Sequence, residues 1–190
     1  MKLLNNDSRW GAIAQTLHWV IAALVITQFT LAQLAENAGA LKREHPAAAI
    51  EQLALLARHK SVGITILMLA IVRLLWRTVS AVPPLPVSTP RWQAKLAHAS
   101  HALFYVLLFA LPITGWLMSS AANYPVSWFG LATLPNLVAP NHDLHETLEG
   151  VHVTLAWTLF VLAIVHVLAA LKHHFFDHDE VLARMLPWTK

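Results

Sequence analysis

The sequence predicts an all-α membrane protein: one domain, residues 1–190, built as a bundle of four transmembrane helices with both termini on the cytoplasmic side. Three observations predict it. Hydrophobic residues make up 57% of the 190 and charged residues only 12%, against roughly a quarter charged in soluble domains. Four apolar runs are each long enough to cross a bilayer, which takes about 20 helical residues. The basic residues fall mostly in the segments between those runs and are unevenly shared between the two sides.

The first span runs from about Ile13 to Ala35 without a formal charge. It is longer than the apolar core of a signal peptide, so an uncleaved helix is expected, although Ala35 to Ala40 offers a loose small-residue cleavage zone. The second span covers about Leu53 to Trp76 and is cleanest from Ser61 to Val72. A proline-rich connector from Val82 to Pro90 cannot continue a helix. The third span covers about Ala102 to Ala122, and the fourth about Gly150 to Leu171. Between them Asn123 to Glu149, with Pro125, Pro135 and Pro140, reads as a long loop.

Lys and Arg set the sidedness. Lys2, Arg9, Arg73, Arg77, Arg91, Lys95, Lys172, Arg184 and Lys190 lie on one side, and Lys42, Arg43, Arg58 and Lys60 on the other. Nine against four places the first side, with both termini, in the cytoplasm. The net charge of +3 is modest, and its distribution reads as membrane topology, not as a nucleic-acid footprint.

The chain has no cysteine, which excludes disulfides, thiolate nucleophiles and cysteine-held iron–sulfur clusters. It has twelve histidines. Two of them, His152 and His166, lie fourteen residues apart in the uncharged run Val151–Leu171. Fourteen helical residues fall about 40° short of four turns, so both imidazoles share a face, roughly 21 Å apart along the axis. Ionisable residues inside a membrane span mark a functional site by default. Sidedness sorts the span histidines into two layers: His18 with His166 toward the cytoplasm, and His59 with His152 toward the outside. Each layer offers two imidazoles from different helices, the ligand set of a six-coordinate haem. Such an iron has no open position and serves electron transfer.

Neighbouring residues allow two readings each. Gly63, one turn after His59, can admit a flat macrocycle or a close helix contact. Arg73, Arg58 and Lys60 can pair with haem propionates or snorkel to the headgroups. His98 and His101 can bind propionates or a quinone headgroup, or sit at the interface. His145, seven residues before His152 and nearly on its face, is a rival outer ligand. It would lie roughly 31 Å from His166, about the whole hydrocarbon thickness, which favours His152. His173, His174 and His178 beside Asp177 and Asp179 form a wet cluster that can attract metal or anchor the helix end; His45 and His142 read as loop residues. A non-haem metal site is disfavoured, because no acidic residue lies within the four spans.

Several segments resemble the bacterial cytochrome b561 family of di-haem, four-helix inner-membrane cytochromes. They are Leu17-His18-Trp19, His59 to Gly63, Ile71 to Arg77, Leu96 to His101, Trp128-Phe129-Gly130, the His152/His166 pair, and Ala169 to Phe175 through Arg184-Met185. They run in order along nearly the whole chain. The resemblance carries the family's four axial ligands onto His18, His59, His152 and His166. One feature departs from the pattern: His145-Glu146 is displaced by two turns from the family's outer ligand pair on the fourth helix. The resemblance implies two non-covalent haem b groups and electron transfer across the inner membrane, with the quinone pool as partner. Some members oxidise superoxide at the outer face and reduce ubiquinone. The alternative is a haem-bearing membrane anchor subunit of a larger dehydrogenase or hydrogenase, which would add a redox partner protein.

Overall fold

The computed structural model describes residues 3–6, 9–86 and 89–186. Lys2 and Lys190 of the charge count, and residues 87–88 of the proline-rich connector, lie outside the described residues. The chain order is α1 (Ala12–Leu41), α2 (Pro46–Val79), α3 (Arg91–Ala121), β1 (Val126–Trp128), β2 (Ala132–Leu134), α4 (His142–Phe175) and a short 3₁₀ turn at Ala183–Met185. All four long helices are apolar enough to cross a membrane. At 30 to 34 residues each is about 45–50 Å long and outruns the hydrocarbon core.

That excess length explains where the observed helices exceed the predicted ones. His18 and His59 lie inside their helices, and His142 is the first residue of α4 instead of a loop residue. The α4 start is capped by Asn141, whose Oδ1 accepts the Leu144 N–H at 2.9 Å, with Asp143 in the positively polarised first turn. α2 begins with Pro46 in its first turn, where the missing N–H costs nothing. α3 begins at Arg91 directly after Pro90, so Arg91 to His101 is helix ahead of the apolar run.

The supposed long loop is partly ordered as an antiparallel hairpin, with Val126 opposite Leu134 and Trp128 opposite Ala132. Its tip places Phe129 (φ 49°) and Gly130 (φ 75°) in the left-handed region, a strained choice for the phenylalanine. The hairpin is tied to α2. Ser61 Oγ accepts the Phe129 N–H at 3.0 Å and lies 2.9 Å from the Ser127 carbonyl, while Trp128 Nε1 donates to Thr65 Oγ1 at 3.1 Å.

α1 packs along α2, α3 along α4, and α2 on α3. Lipid gives helices little hydrophobic reason to associate, so close backbone approach and van der Waals contact must hold them. Ala35 and Gly39, one turn apart on α1, supply that approach: a Cβ on Gly39 would collide with the Gln52 side chain of α2. The main core joins Ile21, Val62, Ile66, Ala70 and Leu108 from α1, α2 and α3. α4 contributes only Leu159 as a buried residue and makes its close helix packing on α3.

The segments leading into α1 and out of α4 meet at one end of the bundle. Arg9 Nη2 donates to the Leu186 carbonyl at 2.8 Å, Gln15 Nε2 to the Arg184 carbonyl at 3.1 Å and Trp19 Nε1 to the Met185 carbonyl at 2.9 Å. The α2–α3 connection joins them, since Arg184 Nη1 donates to the Pro84 carbonyl at 2.9 Å. This is the end that carries the larger share of the basic residues.

Candidate functional site

α4 meets α1 and α2 through rings. His18 of α1 faces His166 of α4 with ring centroids 6.3 Å apart and planes at 67°. His59 of α2 faces His152 of α4 at the same 6.3 Å, with planes at 70°. Phe29 and Phe160 meet at 5.2 Å further along the α1–α4 seam. The four histidines singled out by spacing and depth are thus brought together in two pairs, in the combination expected. All four are half-buried.

The pairs fit a metal between them. An imidazole nitrogen binds such a metal at about 2.0–2.1 Å, so two rings on one metal stand about 6 Å apart, centroid to centroid. Two neutral nitrogen donors per layer, with no carboxylate within the predicted spans, match a haem iron. Their second nitrogens differ. His152 Nδ1 lies 3.1 Å from Thr114 Oγ1. His59 Nδ1 is buried without a hydrogen-bond partner; the Gln28 backbone lies beside it short of hydrogen-bond geometry.

The rival outer histidine stands elsewhere. His145 Nδ1 donates to the Met118 carbonyl at 3.1 Å, and its Nε2 is 3.9 Å from Glu149. It lines a shallow outer pocket with Tyr124 and Pro140. His101 lies closer to the inner pair, 5.8 Å from His166 between centroids, whereas His98 is exposed. Arg73 Nη1 donates to the Ala14 carbonyl at 3.0 Å, one turn before His18, tying α2 to α1 beside the inner layer. Gly63 lies close to α1: a Cβ there would stand 3.1 Å from Gln28 Nε2. Lys60 lies over the Tyr124 ring at 5.6 Å.

Residues 9–188 match the family model for prokaryotic cytochrome b561. The chain belongs to that family. It is 36% identical over 188 residues to cytochrome b561 homolog 2 of Escherichia coli (strain K12), covering 98% of this chain and 95% of the relative. A protein of Yersinia pestis named as a probable superoxide oxidase, CybB, is 32% identical over 179 residues, 94% of this chain and 96% of its own length. Cytochrome b562 of Cereibacter sphaeroides is 30% identical over 185 residues, with 96% and 98% covered. This cytochrome b561 is accordingly a multi-pass protein of the bacterial inner membrane, an electron-transport protein that binds haem b.

Sequence reasoning missed three residues near the layers. Thr114 and Gly115 of α3 flank the His152 ring, and a Cβ on Gly115 would stand 3.1 Å from His152 Cε1. Phe104 of α3 meets the His166 ring edge-on, with ring centroids 5.1 Å apart. The signal for the first two was Pro112-Ile113-Thr114-Gly115, a proline, a hydroxyl and a bare backbone in an apolar span.

Proposed function

We propose that this cytochrome b561 binds two haem b groups, one held by His18 and His166 near the cytoplasmic end and one by His59 and His152 near the outer end. The observation that carries this reading is the equal 6.3 Å separation of the two imidazole pairs. Each haem, when bound, supplies a reversible one-electron iron couple. Two imidazoles would hold each iron, and the protein would then offer dioxygen no binding site on the metal. Without cysteine, attachment is non-covalent.

The chain's own residues set the path. α4 offers a ligand to both layers, so the two sites are fixed by one rigid helix, roughly 21 Å apart along its axis. The positive-inside rule assigns the end with both termini to the cytoplasm, which makes His18 and His166 the inner pair. A membrane-dissolved quinone is the two-electron partner that suits a one-electron carrier in the bilayer.

Superoxide is the proposed outer donor. The balance is that two superoxide anions, one quinone and two protons become two dioxygen molecules and one quinol. The name of the Yersinia pestis relative supports it. Arg58 and Lys60 flank His59 and give that layer a local positive charge. The outer end as a whole is not basic: Glu36, Glu44, Glu51, Asp143, Glu146 and Glu149 share it with four cations. Attraction of a small anion therefore rests on those two residues. The test is quinol formation from a superoxide-generating system by the purified chain in vesicles containing ubiquinone. Superoxide-dependent quinol formation abolished by His152→Ala is expected. Haem reduction by quinol with no response to superoxide would leave a quinone-linked carrier, and co-purification with a flavin or iron–sulfur protein would favour the anchor subunit.

A further inference from the structure

We propose that Thr114 fixes the tautomer and orientation of His152 and thereby tunes the outer haem; the inference rests on His152 being the outer ligand. Thr114 Oγ1 lies 2.8 Å from the Ala110 carbonyl and 3.0 Å from the Leu111 carbonyl. Its single hydroxyl hydrogen is committed to that pair of backbone acceptors one turn back, as is usual for threonine in membrane helices. A hydroxyl that has given its hydrogen away can only accept. The nitrogen facing it at 3.1 Å, His152 Nδ1, must therefore carry a proton. The Leu111 carbonyl lies alongside the same imidazole and can likewise only accept.

The consequence is electronic as well as steric. A neutral imidazole protonated at Nδ1 has its lone pair on Nε2, the form that binds a metal. An acceptor on the opposite N–H holds the ring in place and raises its basicity. Gly115, the next residue on α3, lets the ring lie against bare backbone, so α3 both cradles the imidazole and accepts from it. The partner ligand has no side-chain equivalent: beside His59, whose Nδ1 makes no hydrogen bond, lies only the Gln28 backbone. A hydroxyl holds the α4 ligand of this layer and none holds the α2 ligand.

A hydrogen bond that merely joins α3 to α4 would stabilise the bundle without moving the haem's electronic properties. The discriminating experiment is a spectroelectrochemical titration, with low-temperature EPR, of purified haem-loaded wild type, Thr114→Val and Thr114→Ser. Removing the acceptor weakens the imidazole's support of the ferric state. In Thr114→Val one haem should move to higher potential, shift its low-spin EPR signal and be lost on dilution about tenfold more readily. The other haem should not change, and Thr114→Ser should restore both. Unchanged potentials and EPR in Thr114→Val would overturn the proposal, as would a serine variant that behaves like valine. If the valine chain fails to fold, Thr114→Ala carries the same readout. A wild-type chain with no second haem would instead overturn the outer layer itself.

Discussion

His59 and His152 face each other across the α2–α4 seam with ring centroids 6.3 Å apart, the same separation that His18 and His166 keep in the other layer. Two pairs are formed from three helices because α4 presents both of its histidines on one face. Replacing one member of a pair should therefore empty one layer alone. His152→Ala is expected to halve the haem-to-protein ratio and leave the inner haem's spectrum intact. His145→Ala should keep the full ratio, since that side chain is engaged with the Met118 carbonyl. The opposite outcome, haem loss in the His145 variant only, would reassign the outer ligand.

Gly115 tests the cradle by sterics instead of hydrogen bonding. A Cβ there would lie 3.1 Å from His152 Cε1, tight enough that the ring must shift by a few tenths of an ångström. Gly115→Ala should perturb the outer haem's visible band, and Gly115→Val should expel that haem while the inner one stays. Equal haem content in wild type and Gly115→Val would show that the ring has room the geometry denies it.

Ser61 anchors the outer hairpin through the Phe129 N–H and the Ser127 carbonyl, and is 3% exposed. Ser61→Ala leaves those groups without their partner, at a cost of about 1–3 kcal/mol. That loss is local. Faster hydrogen–deuterium exchange across Val126 to Leu134, with little change in the four helices, is the expected result of mass-spectrometric exchange. A uniform rise throughout the chain would mean that the hairpin holds the bundle together.

The C-terminal turn should respond to acid. Asp177 is held below the usual carboxylate range, first by its hydrogen bonds from Lys172 at 2.6 and 2.9 Å. A lowered carboxyl pKa adds stability above the ordinary aspartate value, about 3.9, and that stability fades as pH falls through the lowered one. The exposed pair is worth little at high salt. Limited proteolysis after Lys172 should quicken on acidification in low salt, and Asp177→Asn should be fast at every pH. Identical cleavage rates for the two chains at neutral pH would discount the pair.

Much of the architecture was legible because membrane spans have a strong signal. Four apolar runs, proline breaks and the Lys/Arg bias gave four helices and the end at which the termini meet. The four histidines were legible because an imidazole in a bilayer needs a reason to be there. Helix starts were not, since hydropathy reports the lipid-facing stretch only. Arg91 to His101 is charged enough to read as connector, yet it begins α3 after Pro90. The N-cap at Asn141 was visible in principle, but the proline-rich segment before it drew the whole stretch into a loop. The hairpin was missed because its strands are three residues long. Thr114 and Gly115 were missed because small residues in a membrane helix usually mean packing, and only the partner across the seam shows otherwise.

Two bis-histidine haems in one chain of 190 residues would set a fixed stoichiometry. The haem-to-protein ratio of the purified chain, taken with its low-temperature EPR spectrum, reads it. Two haem b per chain, both low-spin and both extractable by acidified solvent, is the predicted result. A single haem per chain, or a high-spin signal from an iron with an open position, would contradict it.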